Sequence, residues 1–320
     1  MRAVQITAVL AIGFLFSGCA SIFSSEGTSP SPASSVRATS DEVQTGASVS
    51  PGALRHRMIL LPIVSEAEFN NIDVKTRILD AFKQDLLRTG AILPVDSSEL
   101  GLDLQKYMGD GEYRIKDIVQ NAKKFGATGL IESKIVDFRA KKVSDSIGIV
   151  RNLKTVFQAK VRVRVQNMNT NKEVFNVIKT VELEQSDVRV AERVSADRFV
   201  DRNPELAVMI IKDAFLQFTP QLTKLFDHAE WQGRIAAIQG DRIYVNVGQI
   251  SGVNIGDILR VAENGEQIYD PVTGQLIGDA PGRPKGTIEI VSYFGRDGAV
   301  AVLHSGAGFK ENDRVEPYHQ

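Results

Sequence analysis

Hydrophobic and polar positions change their spacing several times along this chain, and each change marks an element. An apolar run from Val4 to Phe16 follows the short positive start Met1-Arg2. It falls short of the roughly 20 residues a membrane-spanning helix needs and has the form of a secretory signal. From Ser21 to Pro51 large apolar residues become rare, and Ser, Ala, Thr, Gly and Pro dominate. Such a composition cannot offset its own ordering entropy and reads as a flexible tether. Met58 to Val64 is a continuous apolar run, as expected of a buried strand. Helical spacing takes over at Val74, Ile78, Leu79, Phe82, Leu86 and Leu87, with Asp73 expected as cap and Gly90 as stop. A short strand is expected at Ala91 to Val95. A second helix runs from about Glu112 to Phe125 with Gly126 ending it, and Gly129 to Phe138 is again a strand.

Two longer strands follow with period two. Thr155 to Gln166 sets Val161, Val163 and Val165 against Lys160, Arg162 and Arg164 on opposite faces. Asn167 to Lys172 turns the chain, and Glu173 to Leu183 returns. A third helix starts with Asn203 as cap and Pro204 in its first turn, and Pro220 kinks or ends it. The order β-α-β-α-β-β-β-α describes an α/β domain. After Phe226 helical spacing disappears, and Gly and Asp punctuate short β-rich runs. Two segments echo each other: Ile243 to Gly248 leading to Gly252-Val-Asn-Ile-Gly256-Asp257, and Ala299 to Leu303 leading to Gly308-Phe-Lys-Glu-Asn312-Asp313. Gly256 and Asn312 are residue types that tolerate a left-handed backbone before a new strand. This part reads as a small β-barrel from about Glu230. The expected division is signal peptide at 1–19, tether at 20–54, α/β domain at 55–228 and β domain at 229–320.

Composition narrows the function. With 320 residues, 43% of them hydrophobic, the chain can fill two ordinary cores. A net charge of −1 argues against coating nucleic acid or an anionic membrane through bulk charge, so no nucleic-acid partner is expected. Aromatic residues make up 7%, and the single Trp231 offers no stacking platform. Cys19 is the only cysteine, so no intrachain disulfide can form.

Chemistry is hard to find. Asp270-Pro-Val-Thr-Gly274, with Glu266 and Asp279 nearby, is the most site-like stretch. General acid–base work needs a second titratable group at defined geometry. His56 and His319 sit in expected flexible ends, His228 at the domain junction and His304 at a strand end. The same five residues are good turn chemistry, with Asp bonding its own backbone, Pro fixing φ and Gly accepting positive φ. Asn167, Asn169 and Asn171 mimic the opening of a calcium loop, but Ile178 stands where the bidentate Glu belongs. Gly109-Asp110-Gly111 and Gly306-Ala307-Gly308 are too short to cradle phosphate. No nucleophile elbow or Cys/His cluster occurs. The chain is therefore read as a non-enzyme, with no catalytic, cofactor-binding or metal-binding residue and no cofactor. The Lys160, Arg162, Arg164 row reads as the solvated side of a half-buried sheet, with phosphate binding as the sharper alternative. A transmembrane hairpin is disfavoured by Lys179 and Glu182, which interrupt any lipid-facing band.

Three resemblances carry the functional expectation. Phe16-Ser17-Gly18-Cys19-Ala20 resembles the bacterial lipoprotein processing site, in which the cysteine is acylated and becomes the first mature residue. The resemblance implies Cys19 as lipid anchor, and Ala20 after it implies the outer membrane, facing the periplasm. The first domain resembles the periplasmic α/β module of the TolB N-terminal domain, the CsgG lipoprotein and the middle domain of FlgT. The likeness lies in Met58 to Val64, in Gly126-Ala-Thr-Gly-Leu-Ile131 and in the hairpin Val165 to Val174. The second domain is similar to the FlgT C-terminal domain at Gly233 to Gly248, Gly252 to Asp257, Asp270 to Gly274, Leu276 to Gly278 and Gly286 to Val291. Together these imply a TolB-N/CsgG-like α/β domain followed by an SH3-like barrel. They also imply a scaffold role, with envelope or flagellar proteins as partners and a homo-oligomeric ring as the assembly. FlgT has a further N-terminal domain that is not seen here, and it is not typically lipid-anchored. CsgG-type pores use long amphipathic hairpins, whereas Arg139 to Lys154 and Gln185 to Arg202 read as short, charged loops. The expectation is an outer-membrane lipoprotein acting as a periplasmic assembly component of a flagellar ring or similar machine. A CsgG-like secretion-channel subunit is the alternative. A hydrolase would rest only on scattered carboxylates.

Overall fold

In the computed structural model, residues 53–66, 71–122, 125–144, 153–185, 204–227, 229–265, 267–280 and 282–318 are described. The signal, Cys19, nearly all of the tether, the segment 186–203 with Asn203, and His228 and His319 lie outside the described residues.

The first body is a mixed sheet with helices on both faces. Strand β1 (His56–Leu60) lies second in it, pairing in parallel with β3 (Ile92–Asp96) on one side and with β6 (Gly129–Ser144) on the other. Antiparallel β7 (Leu153–Asn167) and β8 (Glu173–Gln185) continue it, giving the order β3-β1-β6-β7-β8, with the two-residue β2 (Val64–Ser65) also on β6. The apolar run Met58 to Val64 is thus broken into two strands around Pro62 rather than forming one. Helix α1 (Ile72–Arg88) buries Val74, Ile78, Phe82 and Leu86, four positions one helical turn apart that face the sheet. Its cap is Asn71, not Asp73. The Asn71 Oδ1 accepts the Val74 amide at 3.1 Å, while Asp73 falls inside the first turn and complements the helix dipole.

Helices α3 (Pro204–Leu216) and α4 (Thr219–Phe226) share the face that α1 covers. Pro220 begins α4 rather than only ending α3: proline is tolerated in the first helical turn, where its missing N–H has no acceptor to lose. The opposite face is covered by α2 (Ile115–Ala122), which buries Ile118 and Val119 against Ile59 and Leu130. This helix is shorter than its apolar spacing predicts. Glu112 and Tyr113 instead form strand β5, paired with β4 (Met108–Gly109) across a turn at Asp110 and Gly111, both at positive φ.

The alternation of β7 holds: Val161, Val163 and Val165 are wholly buried under the helices. Strand β6 runs six residues beyond Phe138, so Arg139 to Ser144 pair with Leu153 to Gln158 instead of looping. Asn167 to Lys172 is the expected turn, in which Asn167 Oδ1 accepts the Asn169 and Thr170 amides and Asn171 adopts a φ of 51°.

The second body is a closed barrel of six strands in the order β10-β15-β14-β11-β16-β9. Its strands are β9 (Gly233–Gln239), β10 (Arg242–Val245), β11 (Ile258–Ala262), β14 (Pro284–Phe294), β15 (Gly298–Gly306) and β16 (Arg314–Pro317). Alternate residues such as Ile243, Val245, Leu259, Val261, Ile288 and Ile290 fill it. The sequence echo has a structural cause. In each half the aspartate before the second strand accepts a backbone amide three residues back: Asp257 Oδ2 from Asn254 N and Asp313 Oδ2 from Lys310 N, both at 2.7 Å. Gly256 and Asn312 take positive φ of 91° and 71°, and the two strands so delivered, β11 and β16, pair with each other. Two strands outside the barrel, β12 (Gln267–Tyr269) and β13 (Leu276–Asp279), make a separate ribbon. The whole is an α+β architecture.

Candidate functional site: the cleft where sheet and barrel meet

The sheet and the barrel belong to one compact unit, and the chain fastens them where it first enters the fold. Leu54 packs on the barrel core, the Arg55 amide donates to Ser251 O at 3.0 Å, and Trp231 Nε1 donates to Arg55 O at 3.0 Å. The next residue, His56, then begins β1 of the sheet. The single tryptophan is therefore a core plug with its N–H spent on the junction.

A second fastening uses Asn246. Its side chain accepts the Arg234 amide at 2.8 Å and donates to Phe125 O at 2.9 Å, joining barrel to the end of α2. Gly126 sits there at a φ of 72°, and a Cβ on it would stand 2.4 Å from Asn246 Nδ2. The helix stop read from sequence is therefore also a close-approach site. Arg57 lies over the Phe125 ring at 5.1 Å and donates to the Asn246 carbonyl. Burial pushes its pKa down against the raising pull of Asp297 and Glu99. Arg296 and Glu99 complete the seam at 2.8 Å.

Beside this seam lies a cleft of about 760 Å³, within the size range of small-ligand sites. Its sheet wall carries Thr128 and the Asn167–Thr170 turn, and its barrel wall carries Arg234, Arg260, Arg314 and Glu316. Arg260 and Glu316 are cross-strand neighbours and hydrogen-bond, with Arg260 Nε donating at 3.0 Å. Arg314 Nε lies 2.5 Å from the same carboxylate but off the line of a hydrogen bond. Arg234 makes no ion pair among the described residues; its NH1 donates to Asn264 Oδ1 at 2.6 Å and to Asn312 O at 3.2 Å. Burial and then the charge of Arg314 lower its pKa.

The sheet also holds a charge cluster where the sequence alternation predicts a solvated row. Arg162 and Arg164 face Glu132, whose side chain is 0% exposed, and Glu112. Arg164 stands directly across from Glu132 in register, at 2.5 Å, and Tyr113 N donates to Glu132 at 3.2 Å. Lys134, opposite Arg162, reaches Glu112 at 3.0 Å. Burial alone would raise the Glu112 pKa, but hydrogen bonds from Arg162 and Lys134 and the arginine charges bring it to about 2. Burial pushes the Tyr113 phenol up to about 12. These arginines are consumed by structure, because residues 112 and 132 fold over that face of the sheet.

The other singled-out residues fall as follows. Asp270 is a turn residue: its Oδ1 accepts the Val272 and Thr273 amides at 2.8 and 2.7 Å, the Gly274 amide donates to Asp270 O, and Gly274 has a φ of 67°. Those amides, Thr273 first, hold its carboxyl below the usual range. His56 is not in a flexible end. It is buried at the start of β1 against Phe226, and burial lowers its pKa. His304 Nδ1 meets Thr287 Oγ1 at 2.9 Å. Among the described residues no group of three or more His, Cys, Asp or Glu is placed to hold a metal, and no helix is long and apolar enough to cross a membrane.

The cleft itself was not legible in sequence. Thr128, Arg234 and Arg314 are spread over nearly two hundred positions, and no local spacing announces their meeting. No protein-family model matches the chain, and no curated protein matches it. Among solved structures the chain is similar to CT253 from Chlamydia trachomatis, with 9% identity and a TM-score of 0.34 over 54% of this chain and 98% of that one. It is similar to lipoprotein GNA1162 from Neisseria meningitidis, with 11% identity and a TM-score of 0.28 over 42% and 87%. It is also similar to the PelC dodecamer from Paraburkholderia phytofirmans, with 11% identity and a TM-score of 0.28 over 52% and 92%.

Proposed function

We propose that this chain is a lipid-anchored periplasmic scaffold without catalytic activity, held at the outer membrane by Cys19. One observation carries the reading: the chain's only cysteine stands at the end of a signal-like apolar run, in Phe16-Ser-Gly-Cys19-Ala20. The geometry supports it. The tether reaches the folded body at Ala53 to Arg55, where both sheet and barrel grip the chain, so a pull from the membrane acts on the two bodies together. The partners are envelope proteins. A homo-oligomeric ring and a place in a flagellar basal body rest on the FlgT-like barrel segments. Basal bodies purified in mild detergent from cells that express the full chain test that finer claim. Co-purification of the protein, and a motility defect on its deletion, are expected; absence from the particles together with normal motility would remove the flagellar reading.

A CsgG-like channel is favoured by one feature, the length of the β6–β7 hairpin, whose strands span 16 and 15 residues. The sequence of its outer half includes Arg139, Lys141, Lys142 and Lys154, charges that count against insertion in lipid. The acylated protein in planar bilayers therefore conducts no ions on our reading, and stepwise single-channel currents would favour the alternative.

A further inference from the structure

We infer that the cleft between sheet and barrel is a binding site for a peptide-like ligand that ends in a free carboxylate, received by Arg234 and Arg314. Arg314 stands directly opposite Arg234 in the antiparallel β16–β9 pair, so the two guanidiniums share one face of the barrel wall. Like charges directly opposite one another weaken a sheet. Among the described residues nothing in the barrel compensates them fully: Glu316 is shared between Arg260 and Arg314, and Arg234 meets the neutral oxygens of Asn264 and Asn312. An arginine pair with one shared carboxylate is an arrangement that an incoming anion completes.

Two lining residues bear on the same account. Thr128 lines the cleft at only 2% exposure and its buried hydroxyl has no hydrogen-bond partner among the described residues, while Arg314 also lines the cleft with its Nε 2.5 Å from Glu316. A buried hydroxyl left unmatched costs stability, and a ligand acceptor beside Thr128 would relieve it. The ligand class follows from the rest of the lining. Asn167, Asn169, Asn264, Asn312 and Gln232 are side-chain amides, which pair with peptide groups, and a planar carboxylate fits the guanidinium fork. Glu230 and Glu316 also line the cleft and disfavour a dianion such as phosphate. This inference stands independently of the lipid anchor.

The test is an NMR titration of the full chain, freed of its signal by its own processing, with N-acetyl-trialanine as probe. Its free-carboxylate form is expected to shift the Arg234 and Arg314 Nε–H signals. The amidated twin should bind at least about tenfold more weakly, since one charge-assisted hydrogen bond exceeds the 1.4 kcal/mol that a factor of ten represents. Arg314→Gln should weaken the probe by a similar factor while leaving the melting temperature unchanged or higher, because it relieves the like-charge pair. That sign separates a binding role from a structural one, and Arg234→Gln, which removes the other receiving guanidinium and should weaken the probe likewise, is the second variant if Arg314→Gln does not fold. Equal binding of the amidated peptide, saturation by inorganic phosphate but not by the peptide, or no shift with any probe would each overturn the inference.

Discussion

Glu132 sets the character of the sheet's second face. It is fully buried, yet it faces Arg162 and Arg164 and accepts the Tyr113 amide, so its charge is met from three directions. Breaking a buried ion pair by removing one partner costs about 3–5 kcal/mol, because the other charge stays buried without compensation. Glu132→Ala should therefore lower the unfolding free energy by about that amount in urea, and Glu132→Gln, which keeps a hydrogen-bond acceptor, should lose less. Glu112 adds a pH signature. Its folded pKa of about 2 lies below its unfolded value, so its contribution is present above pH 4.5 and fades as pH falls towards 2. Denaturation midpoints recorded from pH 6 down to 2 should fall through this window, and less so in Glu112→Gln. The alternation that exposes Arg162 and Arg164 on one face was plain in sequence. That two glutamates 32 and 52 residues upstream of Arg164 would meet it on that face was not, since only tertiary pairing brings them together.

At the scale of elements, turns were the most legible parts and lengths the least. The hairpin at Asp270 and the paired turns at Asp257 and Asp313 follow from local chemistry, where a carboxylate caps neighbouring amides and a glycine or asparagine takes positive φ. The second helix and the β6–β7 hairpin were misjudged because pairing partners decide where a strand stops. Glu112 and Tyr113 fit a helix by spacing, yet the turn at Asp110-Gly111 recruits them into a ribbon. Asp270→Ala should speed amide hydrogen exchange across 267–279, leaving the six barrel strands protected, because the ribbon lies outside the closed barrel. Gly126→Ala has a larger consequence. A Cβ there meets Asn246 and must adopt a left-handed backbone, at a cost of about 1–3 kcal/mol. The loss should appear as lower melting temperature together with raised exchange at Asn246 and Arg234, the seam rather than either core.

For the whole molecule, the seam matters more than either body. The chain passes from barrel to sheet within Leu54 to His56, and Trp231, Asn246 and Arg57 close the joint. The presence of an α/β part and a barrel was readable from the change of texture after Phe226. Their joint was not, because its residues come from widely separated stretches of chain. The central claim is that this unit hangs from the outer membrane by an acylated Cys19. Intact-mass spectrometry of the protein extracted from separated outer membranes tests it most directly. The account predicts a chain that starts at Cys19 and carries fatty acyl groups, with Cys19→Ala leaving the membrane fraction. An unmodified chain cleaved elsewhere and found free of membrane would contradict it.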